Sequence, residues 1–199
     1  MRFAPWVVAA CVVLAPGRAI AAPITINFDG LSDLDAVTNQ FSGLTFSNAT
    51  VLTAGTSLNE FEFPPHSGAN VIFDDGGALS IAFAAPIFSF TGFFTYASPL
   101  ALSLFDTHNN LLGSVSAAHS SNGALSGEAG SAPNELLQFI SNVAIGSVTI
   151  TGDPAGGSFV LDDLTYDTQA APVPEPGTLV LVATGAAIGL RRRKRRLAG

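Results

Sequence analysis

Between Ala22 and Pro172 the apolar residues recur at every second position in short runs, and no stretch sustains a capped helical period. Ile24 to Phe28 reads I-T-I-N-F and Leu79 to Phe83 reads L-S-I-A-F. Further runs cover Val71 to Phe73, Ile87 to Tyr96, Leu100 to Phe105, Leu111 to Ala117, Leu136 to Ile140, Val148 to Thr151 and Phe159 to Tyr166. Period two is the signature of a strand with one face on a core and the other in water. Turn chemistry separates the runs: Asp74-Asp75-Gly76-Gly77, Ser98-Pro99, Asp106 to Asn110, Ser121-Asn122-Gly123 and Gly152 to Gly157. Ser32 to Gln40 offers a helical turn or two at most. Around nine short strands within 151 residues, without a βαβ rhythm, predict one all-β domain over 22–172. We expect an antiparallel β-sandwich of jelly-roll type, since the chain is long for an immunoglobulin-like sandwich and lacks its Cys-Trp-Cys core.

The charge is segregated. All 8 basic residues lie at the ends, as Arg2, Arg18, Arg191, Arg192, Arg193, Lys194, Arg195 and Arg196, and none falls between residues 19 and 190, where all 15 acids sit. A domain without cations cannot neutralise phosphates, so nucleic acid is excluded as a partner, as is an arginine or lysine clamp on a phosphorylated substrate.

The two ends read as addresses. Residues 1–21 run from Arg2 through an apolar stretch, Phe3 to Ala15, to small residues with an A-x-A match at Ala19 to Ala21, the order of a secretory signal removed by signal peptidase. Val8-Ala9-Ala10-Cys11 has the look of a lipobox, but too little apolar sequence precedes Cys11 for lipidation. Removal of the signal takes away the only cysteine, leaving no disulfide or thiolate site. At the other end come Val173-Pro174-Glu175-Pro176-Gly177, the apolar stretch 178–190, and the basic tail 191–199. Six cations, Arg191 to Arg196, form a stop-transfer signal and stay cytoplasmic. The 13 apolar residues reach about 20 Å as a helix, short of the ~30 Å hydrocarbon core, so the predicted transmembrane helix is a marginal, transient inner-membrane anchor.

VPEPGTLVLVATGAAIGLRRRKRRLAG resembles the PEP-CTERM sorting signal of exported bacterial proteins: a Pro-Glu-Pro box, a short transmembrane helix and an arginine-rich tail. The resemblance implies recognition by an exosortase, removal of helix and tail near the box, and release or attachment at the cell surface or in exopolysaccharide. Val173, Pro174, Glu175, Pro176 and Gly177 are then a recognition element for another enzyme. Two segments of the middle domain, the strand–turn–strand of Leu100 to Ser116 and the acid-interrupted run Ser158 to Tyr166, resemble carbohydrate-binding-like sandwiches.

Within the domain, Asp29 follows the first strand and Asp162-Asp163 interrupt the last. First and last strands commonly pair in a jelly roll, so these carboxylates are expected to approach. Without cations they must be hydrated, protonated or neutralised by a metal, and hard oxygen ligands suit a structural Ca²⁺. The competing expectation is that one aspartate faces solvent while the other accepts turn amides. Asp106 to Asn110 lacks the glycine and glutamate of a calcium loop and reads as a hairpin turn. His66, His108 and His119 have no zinc spacing and read as surface histidines. Phe88, Phe90, Phe93 and Phe94 have strand spacing and belong to the core. As sugar platforms only Tyr96 and Tyr166 remain once Trp6 leaves with the signal. No G-x-S-x-G elbow is present. The sequence therefore predicts an exported, noncatalytic surface or extracellular-matrix protein associated with exopolysaccharide and biofilm. Calcium would bridge acidic surfaces of neighbouring molecules. A calcium-stabilised carbohydrate-binding module is the alternative and a secreted hydrolase the third reading.

Overall fold

The computed structural model describes residues 22–169. The expected signal peptide, and the expected transmembrane helix and basic tail of the sorting signal, lie outside these residues. The described chain is all β. Its strands are β1 (Ile24–Ile26), β2 (Leu44–Ser47), β3 (Ala49–Thr53), β4 (Asn70–Asp74), β5 (Leu79–Tyr96), β6 (Ala101–Asp106), β7 (Leu111–Ser116), β8 (Glu135–Thr151) and β9 (Phe159–Asp167). Every pairing between them is antiparallel.

The strands form a single sheet of order β3-β4-β9-β5-β8-β6-β7, with β1 added to β9 and β2 to β5. Two long strands carry the sheet through a bend. The start of β5 lies between β2 and the end of β8, which continues to β6 and β7. After register shifts between Ala82 and Ser89, the rest of β5 lies between β9 and the start of β8. Bulges sharpen twist and bend a strand, which lets one sheet fold over its own core. Ile81, Leu104 and Val148 from one half meet Phe90, Phe94 and Leu161 from the other in the same buried cluster. The architecture is consistent with a β-sandwich.

Of the four phenylalanines expected inside, Phe90 and Phe94 are fully buried, while Phe88 and Phe93 are half-buried on the outer side. A smaller cluster sits on the outer face, where Leu58 and Phe63 from the segment 54–69 cover Val71, Phe73 and Val160. Ser32 to Gln40 forms turns rather than a helix, and Ala36 bridges to Thr50. The first and last strands pair as expected, Ile24 opposite Tyr166 and Ile26 opposite Leu164.

Candidate functional site

The acidic end of the domain is built by a break in alternation on β9. Leu161 and Leu164 both point into the main core, three positions apart where period two would require two. The extra residue is absorbed by a bulge: the β5 pairing shifts register between Thr91 and Phe93, and Asp163 adopts a φ of 45°. Asp162 and Asp163 therefore both face outward, under the segment 54–69.

That segment is fastened by carboxylates. The amides of His66 and Ser67 each donate to Asp162 Oδ2 at 2.8 Å, and the amide of Asp163 donates to Asp162 Oδ1 at 2.7 Å. Asp163 takes the side chains of the same two residues, His66 Nδ1–H to Oδ2 at 2.6 Å and the Ser67 hydroxyl to Oδ1 at 2.9 Å. The His66 ring lies flat on Phe93 at a centroid distance of 3.4 Å. Asp29 completes the clamp by accepting from the amides of Ala69 and Asn70 at 2.8 and 3.0 Å. Asn70 Nδ2 in turn donates to Leu31 O at 2.8 Å.

Asp29, Asp162 and Asp163 thus converge on one loop, and amide and hydroxyl donors occupy oxygens that a cation would need. Burial pushes the Asp162 carboxyl up to about 6, against the lowering effect of the Ser67 amide. Among the described residues no group of three His, Cys, Asp or Glu is arranged to hold a metal ion. Asp163 bridges Ser67 and His66, so the Ser67 hydroxyl donates to a carboxylate rather than to imidazole, unlike an activated nucleophile.

A second knot holds the segment between β7 and β8. The Tyr96 hydroxyl donates to Glu135, and Ala118 N–H donates to the same carboxylate at 2.9 Å. Glu128 accepts from the Ser120 hydroxyl, from the amides of Ser120 and Ser121 and from His119 Nδ1. The Ser120 hydroxyl leads in drawing its carboxyl down to about 2. His66 and His119 are therefore anchored rather than free surface groups. His108 is exposed in the β6–β7 turn, where Asp106 Oδ1 accepts the amides of His108 and Asn110 at 2.8 Å. That is the hairpin turn expected of Asp106 to Asn110.

Tyr96 and Tyr166 do not serve as sugar platforms. They are 0% and 7% exposed, their rings being part of the core. Among the described residues the exposed aromatic is Phe61, at 77%, on the segment 54–69, which sequence reasoning did not single out. On the same segment a cleft of about 190 Å³ is lined by Leu58, Asn59 and Phe63 together with Leu52, Phe73 and Val160.

Among solved structures, a cleaved adhesin domain of Lys-gingipain is similar at 11% identity and a TM-score of 0.47, covering 73% of this chain and 99% of that one. A family 29 carbohydrate-binding module complexed with cellulohexaose aligns at 12% identity and a TM-score of 0.41, covering 77% and 95%. A family 6 carbohydrate-binding module aligns at 9% and 0.37, covering 67% and 92%. No curated protein matches the chain. The sorting signal is matched directly: residues 172–196 fit the model of the PEP-CTERM protein-sorting motif, and the chain carries that motif.

Proposed function

We propose that this chain is an exported, noncatalytic component of the cell surface or extracellular matrix, placed there by an exosortase and associated with exopolysaccharide. The observation that carries the reading is the PEP-CTERM match at 172–196, a motif that implies exosortase sorting. Signal peptidase removes residues 1–21. The 178–190 helix, stopped by Arg191 to Arg196, pauses in the inner membrane, and processing near Pro174-Glu175-Pro176 frees the domain. The domain contributes a rigid polyanionic β unit, which we place among jelly rolls because its first and last strands pair. The described residues carry 14 carboxylates and no Lys or Arg. Their surfaces repel at low ionic strength and come together when salt or calcium screens or bridges them. The test is the intact mass of the extracellular protein. It should lack both the leader and the polyarginine tail, and a surface form that keeps Arg191 to Arg196 overturns the assignment.

A narrower reading, a carbohydrate-binding module, finds support in the 77% exposure of Phe61 on the segment whose Leu58, Asn59 and Phe63 line the outer cleft. Exposed aromatic rings offer sugars an apolar face. Retention on an exopolysaccharide column that is lost in Phe61→Ala supports it; passage of the wild-type protein without delay removes it.

A further inference from the structure

The folded sheet is finished differently on its two sides. On one side the segment 34–38 covers both exposed edges. Leu34 N–H donates to Val51 O at 2.9 Å, Val37 N–H to Ala49 O at 2.8 Å, and Phe46 N–H to Thr38 O at 2.7 Å, so β3 and β2 are capped by backbone. On the other side nothing plays that part. β7 pairs only with β6. The start of β8, Glu135 to Ile140, pairs only with β5, because the β6 pairing begins at Ile145. Among the described residues no further backbone group bonds this stretch.

Natural sheets blunt such edges with lysine, proline or inward charge. Here Leu136 to Thr151 contains no charged residue and no proline. Exposed apolar side chains line the open edge, with Gln138 between two of them: Leu136, Ile140 and Val143 are 51%, 60% and 54% exposed, and Leu111 on β7 is 61% exposed.

We infer that this open side is where a second copy of the chain adds, the two β8 edges running antiparallel about a two-fold axis near Gln138. Charge selects the occupant. Contact between copies through acid-bearing surface is repulsive, since the described residues offer no Lys or Arg to pair with a neighbour's carboxylates. The open side escapes this, for neither Leu111 to Gly127 nor Leu136 to Gly152 contains an Asp or Glu. Two acids stand at its margin: Glu135 is turned onto the Tyr96 hydroxyl and the Ala118 amide, and Glu128 onto His119, Ser120 and Ser121. An acid-free edge is its own complement: each copy supplies the N–H and C=O groups that the other lacks, and Leu136 and Ile140 leave water on contact.

The test uses the full chain in detergent with Cys11→Ala, so that an introduced thiol stands alone. A short bismaleimide should join two copies through Gln138→Cys and leave Asn39→Cys, on the covered side, uncoupled. Light scattering should show a dimer whose dissociation constant rises roughly a hundredfold in Leu136→Glu with Ile140→Glu, where like charges face each other. Phe61→Glu should leave it unchanged. A wild-type monomer, coupling that is equal at both thiols, a dimer indifferent to the two glutamates, or a different protein bound along β8 would each overturn the inference. Should the double variant fail to fold, the thiol pair decides.

Discussion

Asp162 is the residue at which burial and hydrogen bonding compete most directly. Its folded pKa, about 6, stands above the ordinary carboxylate value. The stability it contributes is therefore fully present below about pH 4 and lost as pH rises through 6, on the order of 3 kcal/mol. Urea unfolding followed from pH 4 to 7 should show this loss in the wild type and a flatter profile in Asp162→Asn. Asp162→Ala leaves the amides of His66, Ser67 and Asp163 without partners and should cost about 2–4 kcal/mol. Gly68, in the middle of the clamped loop at φ +54°, has the Asp29 carboxylate where a Cβ would stand. Gly68→Ala should accordingly lower stability by about 1–3 kcal/mol, read from the same unfolding curves. Because Asp29 and Asp162 already accept four loop amides, we expect the same melting temperature in excess calcium and in chelator. A calcium-dependent rise would instead support a structural calcium site at Asp29, Asp162 and Asp163. The sequence drew attention to Asp29, Asp162 and Asp163 through strand pairing and the L-D-D-L break, and all three accept hydrogen bonds from the loop 66–70. It hid what they meet, since amide donors on residues 66–70 belong to a loop remote in sequence.

Among the elements, β5 and β8 hold the molecule together, each serving both halves of the sheet. Amides in their paired interiors should exchange slowest and those of the three-residue β1 fastest, a ranking that hydrogen exchange with mass readout will check. Phe94→Ala, which empties a fully buried site between the halves, should cost roughly 3–5 kcal/mol in chemical denaturation. Nine strands were expected and nine exist, yet the agreement conceals two opposite errors. β5 and β8 each read as two strands, because Ala84-Ala85-Pro86 and the Ser141 to Gly146 stretch look like turns when they are bends within a strand. β2 and β3 went unread although Leu44, Phe46 and Val51 lie on the core face. Asn48, at φ 55°, interrupts the alternation between them by a single residue while the chain keeps its direction along the segment 34–38, too short a punctuation to register as a turn.

For the whole molecule the governing quantity is uncompensated negative charge, carried by 14 carboxylates within the described residues. Compact folding brings them closer together, so salt should help the folded state more than the unfolded one. Raising sodium chloride from low to moderate concentration at neutral pH should lift the melting temperature by several degrees; a flat or falling response would show that local amide donors already cancel the repulsion. The pairing of Ile24 with Tyr166 carries one more consequence. It sets the entry and exit of the domain side by side, about one strand spacing apart. The chain thus enters and leaves the domain at a shared corner, so under the export proposed above a molecule tethered at both termini would hang like a pendant from a single hook, its far end directed away from the membrane.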